Sequence, residues 1–361
     1  MKRRRSVYHI DWWLLSPVIF LAAIGLTILF SIDPEFFRNQ LFVLVLSFLA
    51  FLFFSQFPYK ELPVFSIPLY VGSLIVLFIV LLLGFESRGA VRWIALFGYS
   101  LQVSEICKPL LAVVFAHFLS THANGSIKTY LLSLLGLAPV LGLIYLQPDL
   151  GNALIYAGVG MITLFVYGIP MLWFVLTGLP FVISSSFIWN KLHDYQRQRV
   201  LTFLHPMNDP QGRSYNLIQA VIAVGSGMFF GKGIGEGTQS QLKFLPENHT
   251  DFIFASLAEK LGFLGTVIVL LAFIALLWRI YRIIMNVQDP FGKLFSIAAF
   301  LFLIVHFFVN IGMNVGLVPV VGVTLPFISY GGSSLLANFI MLGILSSISV
   351  ASRKRETLQI K

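Results

Sequence analysis

The residues of this chain best suited to chemistry fall in one short stretch, Phe244 to Phe254, FLPENHTDFIF, which gathers Glu247, His249 and Asp251. Directly after it, Ile253 to Trp278 is apolar enough to span a bilayer and is interrupted mainly by Glu259 and Lys260 about two turns in. Asp251 is therefore expected near a membrane–water boundary. A carboxylate there keeps its charge, reaches a polar substrate head group and still borders the lipid that carries it. The stretch reads as a reaction site.

Other constellations could also carry chemistry. SLQVSEICKP places Glu105 and Lys108 three residues apart, on neighbouring positions of one helix face. Ionisable groups inside hydrocarbon are costly, so the pair should face a protein-lined cavity, either as a structural ion pair or as a substrate contact. In LQPDLGNA, Asp149 follows Pro148 at a position suited to capping a helix; the alternative is a polar cavity shared with Asp251. LPFISYGGSS, Leu325 to Ser334, reads as a tight re-entrant turn before the last span. The basic residues Lys191, Arg197, Arg199, Arg213, Lys232 and Lys243 occupy the approach to Asp251. They suit either a face on water and lipid head groups or the grip of a phosphate by paired hydrogen bonds. GKGIGEG, Gly231 to Gly237, lacks the preceding strand and the Lys-Ser/Thr of a phosphate loop and reads as a flexible hinge. The triplets at Asn124 and Asn248 that match a glycosylation signal are short enough to arise by chance.

The elements that position these residues follow from composition. Of 361 residues 58% are hydrophobic and 11% charged, whereas a soluble domain carries roughly 25% charged residues. The apolar runs are continuous rather than alternating, so the chain is expected to be all-α and polytopic, not a barrel. Ten segments qualify as spans: about 12–31, 40–57, 64–84, 101–119, 129–146, 150–167, 171–189, 253–278, 294–316 and 334–351. MKRRR before the first run resembles a secretory signal, but the run's length and its exit into Asp33 and Pro34 fit a retained span. An even number of spans puts both termini on one side, and Lys2 to Arg5, Arg353 to Arg355, Lys60, Lys128, Arg279, Arg282 and Lys293 mark that side as cytoplasmic. The short opposite loops hold only Arg38, Arg88 and Arg92. The long loop of about 190–252, between spans seven and eight, is then extracytoplasmic. Within it Tyr215 to Phe230 is too short and Gly-rich to span and reads as interfacial or re-entrant. The formal charge of +9 is scattered between spans, so topology explains it and no nucleic-acid partner is expected. The single Cys107 excludes an intrachain disulfide. Residues 1–361 read as one integral-membrane domain.

HDYQRQRVLTFLHPMNDPQGRSYN, GSGMFFGKGIGEGTQSQLKFLPENHTDFIFA, LQPDLGNA and LPFISYGGSS together resemble the SEDS family (shape, elongation, division and sporulation), in matching order over nearly the whole chain. GTQSQLKFLPE looks more like the rod-shape elongation branch than the division branch. Asn248 stands where such relatives often carry a basic residue, and Lys260 where an acid is common. The resemblance implies a ten-helix peptidoglycan glycosyltransferase of the bacterial cytoplasmic (inner) membrane that polymerises lipid II on the outer face during cell-wall elongation. It implies partners as well: lipid II and the growing glycan strand, a class B penicillin-binding protein that crosslinks the glycan, and other elongation-complex membrane proteins. The family's essential aspartate falls on Asp251, its fourth-span Glu and Lys on Glu105 and Lys108, and its QPD aspartate on Asp149.

In that chemistry a sugar hydroxyl attacks an anomeric carbon bearing pyrophosphate. A positioned carboxylate that takes the hydroxyl's proton contributes on the order of a hundredfold to ten-thousandfold, and Asp251 is the candidate base. Arg197, Arg199, Arg213, Lys232 and Lys243 are the candidate donors to the leaving pyrophosphate. A divalent cation, Mg or Mn, is the candidate cofactor bridging phosphate and carboxylate, and no organic cofactor is expected. Two rival classes remain: a lipid II flippase, for which buried Glu105, Lys108 and Asp149 would line a path, and a non-catalytic scaffold for a crosslinking enzyme.

Overall fold

Backbone groups in lipid must find partners within the chain, and the apolar runs do this as helices. The computed structural model describes residues 10–87, 90–96, 99–192, 194–210, 212, 214–242 and 244–359. Helices α1 (Trp12–Ile32) and α2 (Pro34–Gln56) are parted by Asp33, whose side chain accepts from the Glu35 amide while Pro34 opens the helix. A 3-10 turn over Tyr59–Phe65 leads to α3 (Ser66–Leu83). An antiparallel sheet follows, β1 (Phe85–Ser87), β2 (Ala90–Leu96) and β3 (Tyr99–Gln102), in the order β1-β2-β3. Trp93 of β2 pairs with Gln102, where β3 runs straight into α4 (Val103–Thr121). Next come α5 (Ile127–Leu146), α6 (Leu150–Tyr167), α7 (Met171–Ile183), α8 (Ser185–Lys191), α9 (Asp194–Leu204), α10 (Tyr215–Ser226) and α11 (Thr238–Gln241). The chain ends with α12 (Ile253–Asn286), α13 (Pro290–Asn314) and α14 (Gly332–Gln359).

Among the described residues nine helices are long and apolar enough to cross a membrane. The count is ten if Met171–Pro180 and Ser185–Lys191, bent by 52°, form one broken span. The chain is a multi-pass membrane protein of helical class, as its composition predicts. The small sheet is not among the expected elements: AVRWIAL carries the β-branched and aromatic residues of a strand but falls in the short loop between the expected spans 64–84 and 101–119. Helices α4, α13 and α14 form the interior, with 61%, 67% and 78% of their spans buried, against 17% for α2. The outer helices leave large apolar side chains such as Phe42, Ile75, Leu135 and Ile274 exposed, as lipid-facing surfaces do.

The bundle has two unlike ends. At one, Asp11 is fully buried and accepts from Ser349 Oγ at 2.5 Å, from Arg279 Nε at 3.0 Å and from Arg353 Nη2 at 3.3 Å, tying α1, α12 and α14 together. The Asp11 amide donates to Ser346 Oγ at 3.1 Å. Burial alone would raise the Asp11 pKa, but hydrogen bonds from Arg279 and Ser349 and the charges of Arg279 and Arg353 outweigh it and hold the carboxyl below its ordinary value. At the other end lie the sheet, the starts of α4, α6 and α12, and the segments before α12 and α14. Lys2 to Arg5 and Arg88, which bear on the orientation of the chain, lie outside the described residues.

Helix α12 is broken at Gly262, whose φ of 65° and ψ of −168° interrupt the helical hydrogen-bond ladder. A side chain there would meet the backbone of Phe230 and Gly231, so only glycine fits both the angle and the contact. The freed amides of Phe263 and Leu264 donate to the carbonyls of Met228 (2.8 Å) and Phe229 (3.0 Å). In exchange the amides of Lys232 and Gly233 donate to the carbonyls of Glu259 (3.0 Å) and Lys260 (3.1 Å). The segment 228–233 is thus spliced into the break. The sequence reading of GKGIGEG as a free hinge is replaced by this junction.

Candidate active site

Asp251 sits in the turn that enters α12 and is partly exposed. Its main chain is fixed by two amides one turn apart on α13: Asn310 Nδ2 and Asn314 Nδ2 each donate to the Asp251 carbonyl at 3.0 Å. Asn310 Nδ2 also donates to the Val323 carbonyl at 2.6 Å, while Asn314 Oδ1 accepts from the Ala255 amide at 3.0 Å. Gly322, at φ 73°, lies under the Asp251 carboxylate, close enough that a Cβ on it would stand 3.4 Å from Oδ2. The Ser329 hydroxyl donates to the Thr250 carbonyl at 2.8 Å, and the Tyr330 amide donates to the His249 carbonyl at 2.8 Å. Two segments distant in sequence, 247–252 and 322–330, are thereby laced together, and α13 holds both.

His249 stacks on Phe36 of α2, with ring centroids 4.1 Å apart and planes within 13°, and Tyr330 lies against both rings. Glu247 turns the chain at φ 56°; its carboxylate accepts from Thr250 Oγ1 at 2.9 Å and its carbonyl from the Phe252 amide at 3.1 Å. Asn248 is buried and donates to the Ser240 carbonyl at 2.8 Å. This side chain braces the turn, a role a charged residue would fill less well in so enclosed a place.

The second centre is wholly buried. Lys108 Nζ donates to Glu105 Oε1 at 2.5 Å and meets His306 Nε2 at 2.6 Å. An ammonium only donates, so Nε2 accepts and the imidazole proton resides on Nδ1, facing the Thr324 carbonyl at 3.4 Å. Asp149 caps α6 through the Asn152 amide at 3.4 Å. It also accepts from Gln102 Nε2 at 2.8 Å, Asn152 Nδ2 at 2.9 Å and Ser104 Oγ at 3.1 Å, with Arg92 Nη1 at 3.5 Å. Asp149 is thus a helix cap and also belongs to a buried polar cluster with Arg92, Gln102, Ser104 and Asn152. The sheet explains how, since β2 carries Arg92 over Asp149 and the end of β3 delivers Gln102.

The two centres share a wall. Val321 packs on the first turn of α6 at Gly151, Gly322 underlies Asp251, Val323 is held by Asn310, and Thr324 faces His306. Sequence reasoning reached Asp251, Glu105, Lys108 and Asp149 but missed His306, Asn310, Asn314 and the role of Arg92. A histidine and two asparagines one turn apart inside an apolar span were the available signal, because such residues are costly in lipid unless they hold something.

The loop cations are employed within the fold where the structure describes them. Arg197 of α9 donates from Nε to the Trp189 carbonyl at 2.8 Å and from Nη2 to the Asn190 carbonyl at 2.5 Å, closing the end of α8. Lys232 donates to Thr238 Oγ1 at 2.8 Å and pairs with buried Glu259 at 3.4 Å. Glu259 in turn accepts from the Gln239 amide at 2.9 Å and the Ser240 amide at 3.0 Å, the N-terminus of α11. Arg199 is half-buried on α9, and Arg213 and Lys243 lie outside the described residues. No three His, Cys, Asp or Glu side chains converge among the described residues. They do not make a metal cage by themselves, and a cation beside Asp251 would need the oxygens of a substrate phosphate as further ligands.

Comparison with known proteins agrees with this architecture. The chain is 43% identical over 285 residues to peptidoglycan glycosyltransferase MrdB of Escherichia coli K12, covering 78% of this chain and 76% of the relative. Its fold matches a solved chain from a peptidoglycan synthase complex, described by its coordination of polymerization and crosslinking, with a TM-score of 0.81 at 31% identity over 95% of this chain and 98% of that one. It also matches the crystal structure of Thermus thermophilus rod shape determining protein RodA, with a TM-score of 0.71 at 29% identity over 94% and 97% of the two chains. The family model described as cell cycle protein, FtsW/RodA/SpoVE, matches residues 8–354, and the chain belongs to this family, the SEDS proteins.

Proposed function

We infer that the chain is a peptidoglycan glycosyltransferase that polymerises lipid II in the bacterial cytoplasmic membrane, with its reaction at the end of the bundle opposite Asp11. One observation carries the reading. A partly exposed carboxylate, Asp251, stands at the polar end of a membrane bundle on a backbone locked by Asn310 and Asn314. Such locking holds a reacting group in one orientation, which is where proximity gains arise.

In the reaction, the acceptor sugar hydroxyl attacks the donor's anomeric carbon. The new C–O bond forms as the bond to the pyrophosphate oxygen breaks, the electron pair leaves with the pyrophosphate, and the hydroxyl proton passes to Asp251. A single displacement of this kind inverts the anomeric centre. The pyrophosphate needs cations, for which Arg197, Arg199, Arg213, Lys232 and Lys243 remain the candidates; a divalent ion, if one binds, would be held with the help of Asp251 and would supply further charge stabilisation. The buried Glu105, Lys108 and His306 set the far wall of the site through Thr324. Both termini are cytoplasmic in this reading and Asp251 faces outward. A class B penicillin-binding protein is the partner that would crosslink the strands, in keeping with the synthase complex that the fold matches.

The test is polymerisation of labelled lipid II by purified protein, parent against Asp251→Asn. The parent is expected to make glycan and the variant, inserted and folded, to make none. Full polymer from the variant removes Asp251 as base; translocation without polymer identifies a transporter, and neither activity a scaffold.

A further inference from the structure

Two polar pairs mark the faces of the hydrocarbon layer. Asp11 binds Arg279 at one end, and Ser31 accepts from Lys260 at the other. Along α1, Asp11 and Ser31 are about twenty residue steps apart, about 30 Å at 1.5 Å per residue. Along the unbroken part of α12, Phe263 and Arg279 are about sixteen steps apart, about 24 Å. Helix α1 thus places the two pairs one hydrocarbon thickness apart, about 30 Å.

Phe263, about 24 Å from the level of Arg279, therefore lies about 6 Å inside the nearer face. The splice at Gly262 fixes Met228 and Phe229 at the same level, because their carbonyls accept the amides of Phe263 and Leu264. The side chains there point away from the protein: Met228 is 82% exposed and Phe230 78%, beside exposed Phe229, Phe263 and Leu264. Four backbone hydrogen bonds, two in each direction, pair groups that the break frees, as lipid requires.

We propose that the tip Met228–Phe230 is a membrane wedge, immersed in the acyl chains of the bilayer and setting the depth of the loop that carries Asp251. The occupant of the patch is lipid rather than protein because its depth, read from two helices, is below the polar boundary. Lys232, four residues on from Met228 and paired with Glu259, marks where the segment returns to the polar side. The inference does not depend on the activity inferred above.

Single cysteines at Met228, Phe230 and, as a polar control, exposed Glu236 would be spin-labelled in otherwise intact protein in phosphatidylcholine nanodiscs, with the unlabelled buried Cys107 of the parent as background. Collision with oxygen, enriched in acyl chains, is compared with collision with a water-soluble nickel chelate. Labels at 228 and 230 are expected to show an oxygen-to-nickel ratio on the order of tenfold above that at 236, with the elution volume and thermal unfolding of the parent retained as evidence of folding. Equal ratios at all three positions would place the tip in water and overturn the proposal. Exclusion of both reagents at 228 and 230 would show protein covering the patch and overturn it as well.

Discussion

Removing the ammonium of Lys108 tests the buried centre most directly. Lys108 is 2% exposed and Glu105 5%, and Nζ stands 2.5 Å from Oε1. Lys108→Met keeps the volume but strands a carboxylate beside His306, and breaking one side of a buried ion pair costs about 3–5 kcal/mol. Glu105→Gln strands the ammonium at a similar cost, although His306 Nε2 still accepts from it. The double variant Glu105→Gln/Lys108→Met strands neither charge, so it is expected to recover most of the loss. At the entropy of unfolding typical per residue, a chain of this length shifts by about 1–2 °C per kcal/mol, so each single variant should melt on the order of 5 °C below the parent. Thermal unfolding in a fixed detergent, followed by loss of a soluble monodisperse peak, measures all four proteins. The coupling should come out at about 2 kcal/mol or more, of the sign that makes the double variant better than additive. Strictly additive losses would show that the two groups do not sense each other's charge. The reasoning about a shared buried wall would then fail.

Two further outcomes follow from particular residues. Gly322→Val puts a branched side chain at φ 73°, under the Asp251 carboxylate; displacement of a reacting group by about 1 Å costs on the order of a hundredfold. Turnover of lipid II should fall by that order with membrane insertion unchanged, and parental turnover would show that Gly322 does not seat the carboxylate. Asp11 has a folded pKa below its ordinary 3.8, so its contribution to stability is present above that value and lost as pH falls through the lower, folded one. Acid titration of unfolding should therefore steepen below pH 3.8 in the parent and lose that component in Asp11→Asn; identical acid limbs would detach Asp11 from the acid sensitivity.

Much of this molecule was legible in its sequence because lipid leaves few choices. A run such as Trp12–Ile32 can only be a helix, and a carboxylate like Asp251 between polar loop and apolar run can only sit near a boundary. What escaped was whatever depends on contacts distant along the chain. Asn310 and Asn314 bind the carbonyl of a residue about sixty positions earlier, and the break at Gly262 is stable only because residues 228–233 fill it. Glu259 and Lys260 looked like charges inside a span. The structure uses one to cap α11 and the other to reach Ser31. That Lys232 engages the Glu259 carboxylate and Arg197 the carbonyls of α8 was not legible either, because only their basic type is visible in sequence. Arg92 is seated by a sheet whose pairing joins three short strands.

The strand of chain from Val321 to Thr324 is narrow, and each of its four residues leans on a different part of the molecule. A ligand that presses Val321 from the side of α6 cannot do so without transmitting the displacement to the floor beneath Asp251, since Asn310 clasps Val323 and Asp251 together. Were a ligand to shift Val321 in this way, its effect on binding at Asp251 and the effect of binding at Asp251 on it would be equal by thermodynamic reciprocity. A polymerase that must hold two lipid-anchored sugars at once would gain from such a linkage a means of sensing that both have arrived.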